Sequence, residues 1–228
     1  MTSPSFDILV IGGGHAGCEA ALAAAKLGSS TILITHRTAR EAWASCNPAV
    51  GGLAKGHLAR EIDALGGAMG RITDRSGIQF RRLNTRKGPA VRGTRAQIDM
   101  LLYSSLMLEE LTRQQGLTIV EDEATSILTD SAGRAIGAQL ADGRTISSAA
   151  VVVTAGTYLN GLIHVGPEQT PAGRIGEPPS TKLAAWFRQH GFETARLKTG
   201  TPARIPGHSI EFDSMREQHG DTPAPMFS

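Results

Sequence analysis

The sequence predicts an α/β fold, a mostly parallel sheet with helices packed on it, and three observations predict it. First, the apolar run FDILVI (6–11) leads into a glycine cluster, an alanine-rich stretch closed by Gly28, and a second apolar run, STILIT (30–35). Apolar runs this short, bounded by glycines, suit buried parallel strands, so the first 35 residues read as a strand–helix–strand unit. Second, the polar turns DSAG and ADGR separate short alternating segments after LTIVED, which reads as a strand leading into a β-meander. Third, AAVVVTAG (149–156) returns as another buried strand ending in a small-residue turn.

The remaining elements follow in chain order. Leu58, Ile62 and Leu65 stand at i, i+4 and i+7, one face of a short helix stopped by Gly66 and Gly67. TRAQ (94–97) has capping-box spacing and predicts a leucine-rich helix from there to about Gln115. Beyond Gly161 the texture turns to Gly and Pro, with a helix expected from Ser180 or Thr181 to a stop at Gly191. RLKTGTPARIPG and HGDTPAPMFS carry no periodicity and are expected to be functional loops. A boundary is placed at 160/161, with the α/β domain before it and the start of an inserted second domain after it. The chain stops on PMFS without a closing element, so truncation is expected.

Composition bounds the function classes. With 228 residues, 40% hydrophobic and 19% charged, the chain suits one large globular domain or one and part of another. Two cysteines make no disulfide framework, no secretory leader precedes the first strand, and no apolar run approaches the ~20 residues needed to span a bilayer. A cytoplasmic setting is the default expectation. The net charge of +2 does not argue for nucleic acid, but residues 71–95 hold eight basic side chains against one acid, Asp74. Such a run is either a polyanion footprint or a solvated basic face.

Gly12, Gly13, Gly14, His15, Ala16 and Gly17 form G-x-G-x-x-G after a strand and at a helix start. The first glycine permits the tight turn, the second lets backbone approach a pyrophosphate, and the third lets helix and strand pack closely. The helix N-terminus favours the negative charge. The acid that usually binds the adenosine ribose is missing at the end of the second strand, where Thr35, His36 and Arg37 stand. That weakens NAD at this site. Together with the meander and its returning strand, it favours FAD in a Rossmann-like domain of the two-dinucleotide flavoprotein type. Cys46 lies in a polar, glycine-flanked loop near Lys55 and His57. It is either a thiol activated by a nearby cation or helix end, or a small buried apolar residue. Cys18, within the first helix, reads as packing.

Several longer blocks are more specific than a glycine fingerprint: DILVIGGGHAGCEAA, SCNPAVGGLAKGHLAREIDALGG, GIQFRRLN, KGPAVRGTRAQ, GRIGEPPS, RLKTGTPARI and QHGDTPAPMFS. In these the chain closely resembles the MnmG family, also called GidA, over essentially its whole length. The resemblance implies an FAD-dependent tRNA-modifying enzyme that works with a GTPase partner, MnmE. Such enzymes install an aminomethyl-type group at C5 of the wobble uridine, with methylene-tetrahydrofolate as carbon donor and NADH as reductant. It implies a homodimer, joined with MnmE in a heterotetramer. It places FAD on residues 12–17, on the backbone at Ala124 and on Ser180, and it puts Cys46 near the flavin as a catalytic thiol. Arg81, Arg82, Arg86 and Lys87 become candidates for tRNA phosphates, while Lys87, Arg92 and Arg95 are equally candidates for flavin or folate carboxylates. The alternatives are a related folate- and FAD-dependent tRNA uridine-5 methyltransferase (TrmFO) and a nucleotide- or RNA-binding chain without turnover. Ala203 departs from the family pattern, where a second proline is usual.

Overall fold

The computed structural model describes residues 5–203 and 205–228. It divides into two compact units, each discontinuous in sequence. The first comprises the residues up to Trp43 together with Ser104–Ala195, and the second comprises Ala44–Tyr103 with Arg196–Ser228. The expected boundary at 160/161 falls inside the first unit.

In the first unit, β1 (Ser5–Ile11), α1 (His15–Lys26) and β2 (Thr31–Thr35) form the expected strand–helix–strand unit. Strand β1 is the centre of a six-stranded sheet. Parallel neighbours flank it, β2 through Leu9↔Ile32 and β9 (Thr145–Val153) through Leu9↔Val151. Strand β6 (Leu117–Glu121) extends the sheet beyond β2, and β7 (Ala124–Thr129) and β8 (Ala135–Leu140) complete the antiparallel meander on β9, giving the order β6-β2-β1-β9-β8-β7. The fold is α/β and Rossmann-like, as the sequence predicts.

Alternation along the buried strands sends Leu9, Ile11, Ile32 and Ile34 to one face, where they join Ala138, Leu140, Ile146 and Leu183 in the core. Leu183 comes from α5 (Thr181–Gln189), whose Trp186 and Phe187 pack on the same cluster. Each such aliphatic side chain contributes about 1.5–3 kcal/mol through burial. Helix α1 packs on β1 and β2 through small buried residues, Gly17, Cys18, Ala21 and Ala25. A two-stranded hairpin, β10 (Leu162–Val165) with β11 (Glu168–Pro171), precedes α5.

The second unit contains elements that the periodicity did not reveal. Strands β3 (Ala49–Gly51), β4 (Gly77–Leu83) and β5 (Gly93–Ile98) form an antiparallel sheet in the order β3-β5-β4. Helices α2 (Lys55–Ala64) and α3 (Met69–Ser76) pack with it. TRAQ therefore opens no helix: Thr94, Ala96 and Ile98 are buried on one side of β5, and Arg95 and Gln97 alternate with them. Helix α4 (Met100–Arg113) starts later, where the Asp99 carboxylate accepts the backbone N–H groups of Leu101 and Leu102, each at 3.0 Å. A carboxylate at that position satisfies donors that the helix itself leaves free, which a threonine inside a strand cannot do.

The closing segment is irregular but anchored. Phe227 is buried, and the Asp74 carboxylate accepts the N–H groups of Phe227 and Ser228 at 2.9 and 2.8 Å. Arg60 donates to the Met226 carbonyl at 2.7 Å.

Candidate functional site

The glycine loop follows β1 at the carboxyl end of the parallel strands. The chain leaves β1 for β2 on one side and meets β9 on the other, the arrangement in which α/β sheets bind ligands. Gly12 adopts a φ of +104°, and its N–H donates to the Ile34 carbonyl at 2.8 Å. A side chain there would meet the Thr154 carbonyl at 2.7 Å. Thr154, directly after β9, donates its hydroxyl to the carbonyls of Ile11 and Gly12 at 2.8 and 2.9 Å, so β9 braces the loop from the far side. A methyl group on Gly17 would lie 1.8 Å from the Gly12 carbonyl oxygen, so the helix sits directly on the turn.

Gly14 differs from its neighbours. Its φ of −73° is open to any residue, yet a Cβ there would point into open space. No side chain caps the N-terminus of α1 at this position. A close, uncluttered approach to a helix N-terminus is what a pyrophosphate requires, so the loop fits a dinucleotide.

Two other expected contacts lie in the same unit. Ser180 is buried ahead of α5, and its hydroxyl is 3.0 Å from Nε2 of His36, just past β2. The His36 ring stacks on Tyr158, with centroids 5.0 Å apart. Ala124 opens β7 two residues after Asp122, whose N–H donates to the Thr35 carbonyl at 2.9 Å. Ser180 and the approach to Ala124 are thus both tied to the carboxyl end of β2. Beside them, Glu177 is buried in a polar cluster with Arg40 at 3.0 Å, Arg174 at 3.6 Å and the Tyr158 hydroxyl, whose ionisation is pushed up to about 12 by burial and by Glu177.

Glu41 carries no signal in the sequence. It is wholly buried, and its carboxylate occupies the space that a side chain on Gly13 would need, with Oε2 1.9 Å from that Cβ position. The Cys18 thiol lies 3.5 Å from Oε2, while Oε1 makes no hydrogen bond to the described residues. Burial pushes the Glu41 pKa up to about 7, against the lowering effects of Thr35, Cys18 and Arg174. The glycine loop therefore rests on a carboxyl group that titrates near neutrality.

In the second unit Cys46 is exposed, not buried, and its thiol is 3.2 Å from the Gly200 carbonyl. It lines a pocket of about 350 Å³ with Asn47, Pro48, Met100, Pro202 and Ala203. Lys55, donating to the Ala49 carbonyl at 2.8 Å, is near enough for its charge to interact with Cys46. Burial and Arg95 lower the Lys55 pKa. Arg204, in the loop after Ala203, lies outside the described residues.

The four expected phosphate ligands do not form one cluster. Arg81 and Arg82 are adjacent on β4 and so point to opposite faces of the sheet. Arg81 donates to the Gln218 side chain at 2.7 Å, and Arg82 lines a separate small pocket. Arg86 and Lys87 are exposed in the turn that follows β4.

Comparison with known proteins bears on the whole of this chain. The family model for glucose inhibited division protein A matches residues 7–228. The chain is 51% identical over 98% of its length to the tRNA uridine 5-carboxymethylaminomethyl modification enzyme MnmG of Wolinella succinogenes, and it spans 36% of that protein. The crystal structure of Aquifex aeolicus GidA (form II) superposes with a TM-score of 0.93 at 46% identity, covering 98% of this chain and 37% of that one. A GidA-related protein of Thermus thermophilus shares the fold at a TM-score of 0.60 and 18% identity, over 82% of this chain and 69% of that one. With the family model matched from residue 7 to residue 228 and half of the residues identical to a curated member, the chain belongs to the glucose inhibited division protein A (GidA, MnmG) family.

Proposed function

We propose that this chain carries the FAD-binding part of a tRNA-modifying enzyme that alters C5 of the wobble uridine. The observation that carries the reading is the 51% identity, along 98% of the chain, to a relative named for that modification. The glycine loop supports the cofactor half: residues 12–17 would hold the pyrophosphate, with Gly14 open to it. Ser180 and the Ala124 backbone would hold the adenosine side. Bound there, FAD supplies the redox chemistry and a carrier for the one-carbon unit.

The protein's own contribution is to bind, orient and handle protons. Cys46, exposed and within range of the Lys55 charge, is the proposed nucleophile. Its thiolate would add to C6 of the uridine, sending an electron pair onto the ring carbonyl at C4 and making C5 nucleophilic. NADH as reductant, methylene-tetrahydrofolate as carbon donor, a GTPase partner of the MnmE kind and a homodimer complete the proposal.

The test has two readouts. Cells whose copy of this protein carries Cys46→Ser should lose the modified uridine from total tRNA nucleosides, while the purified variant keeps its flavin band near ~450 nm. An unchanged nucleoside profile removes Cys46 from the chemistry. Absence of flavin from the unsubstituted protein, purified or supplemented with FAD, overturns the cofactor assignment.

A further inference from the structure

We propose that His57, Arg60, Arg82 and Arg92 form a binding site for a phosphate oxyanion. They line a pocket of about 150 Å³ with Gly56, Gly93 and Thr94, all within the second unit. A pocket of this volume admits an anion of phosphate size.

Helix α2 and the β4–β5 hairpin supply the cations: α2 gives Arg60, β4 gives Arg82, and the turn into β5 gives Arg92. None of the three guanidiniums forms an ion pair among the described residues. Neutral acceptors hold two of them instead. Arg60 donates to the Met226 carbonyl at 2.7 Å and approaches the Thr94 hydroxyl at 3.4 Å, and Arg92 donates to the Lys87 carbonyl at 3.1 Å. These bonds fix the side chains without cancelling their charge. Asp221 accepts the Arg82 backbone N–H at 2.6 Å rather than the guanidinium.

Like charges gathered around one small pocket repel, and a doubly charged anion relieves that repulsion. Guanidinium forks match phosphate oxygens in pairs, which a compact ammonium does not. The glycines bring the walls together: a Cβ on Gly93 would meet the Gly52 carbonyl at 2.8 Å, and one on Gly56 the Thr94 carbonyl at 2.8 Å. Gly56 and His57 also belong to the first turn of the ten-residue helix α2, whose dipole adds to the positive field. Both ring nitrogens of His57 are shielded from solvent and unpaired among the described residues, so its ring resonances report on the pocket.

This site stands independently of the tRNA reading, because a phosphate group also occurs on small molecules. The test follows the His57 ring by NMR in the 228-residue chain, assigned with His57→Gln, at constant ionic strength set with chloride. Inorganic phosphate should shift the resonance saturably, and Arg82→Gln, whose side chain makes no hydrogen bond or ion pair among the described residues, should weaken that binding about tenfold. Arg92→Gln should do the same, which guards against a fold defect in either variant. A second titration uses a short RNA hairpin without terminal phosphate: a matching shift, also weakened by Arg82→Gln, assigns the site to a backbone phosphodiester. A shift with inorganic phosphate alone assigns it to a phosphomonoester. A His57 resonance that ignores phosphate, or one that responds equally in both variants, overturns the proposal.

Discussion

Replacing Glu41 by Gln tests whether the floor of the glycine loop holds a proton. The folded-state pKa is raised from 4.5 to about 7, with burial as the main cause. A raised carboxyl pKa means that the folded protein binds this proton more tightly than the unfolded chain does. Stability is therefore intact below the unfolded pKa and is lost as pH rises towards the folded one. At ~1.36 kcal/mol per unit the full loss is on the order of 3 kcal/mol, and most of it falls between pH 5 and 8. Glutamine keeps the shape and cannot ionise. The two tryptophans, Trp43 and Trp186, both lie in the first unit, so intrinsic fluorescence reports the unfolding of the unit that contains Glu41. In denaturant series at pH 5, 6, 7 and 8, Glu41→Gln should gain on the order of 2–3 kcal/mol on the unsubstituted chain between the extremes. This corresponds to a midpoint gain of about 5–10 °C on heating. Histidines that titrate in the same window are common to both proteins and cancel in the difference. A difference that changes by less than ~1 kcal/mol over this range would refute the buried-proton reasoning.

Two further outcomes follow from the same site. Gly14→Ala should leave the apo fold as stable or up to ~1 kcal/mol more stable, since its φ of −73° suits alanine and the methyl meets nothing. It should nevertheless weaken FAD retention at least about tenfold, whereas Gly17→Ala, with its methyl 1.8 Å from a carbonyl oxygen, should cost on the order of 3 kcal/mol in stability. Equal flavin retention in Gly14→Ala and the parent would move the pyrophosphate off this loop. A thiol reagent at pH 7.5 should modify Cys46 alone in the native chain and both cysteines after denaturation, because Cys18 is buried and its pKa is pushed up by that burial and by Glu41. Rapid native labelling of two thiols would contradict the packing around Cys18.

The first unit was legible because its strands are continuous apolar runs punctuated by glycines, a pattern set by burial on both faces of the sheet. In the second unit the helix at α2 was legible, but charged residues masked the periods of β4, β5 and α3. Strand β5 does alternate, with Thr94, Ala96 and Ile98 inward, but the T-x-x-Q spacing imitates a helix start. Met69, Ile72, Thr73 and Ser76 are buried at helical spacing on α3, a signal hidden inside the basic run. Glu41 was not legible at all. It lies in an irregular loop after β2, and only the folded chain brings it against Gly13, 28 positions earlier. The oxyanion pocket is a similar case, since the fold must bring Arg60 of α2 against Arg82 and Arg92 of the β4–β5 hairpin.

The Thr154–Ile11 hydrogen bond joins residues 143 positions apart and closes the centre of the sheet. On the ribosome, at roughly 5–20 residues per second, about 7–30 s separate the emergence of these two partners. Throughout that interval β1 has β2 available on one side and a bare apolar edge on the other. A nascent chain in this state is a ready template for strand addition by another chain. Slower translation or crowded synthesis therefore lowers the soluble yield of this protein before any question of its final stability arises.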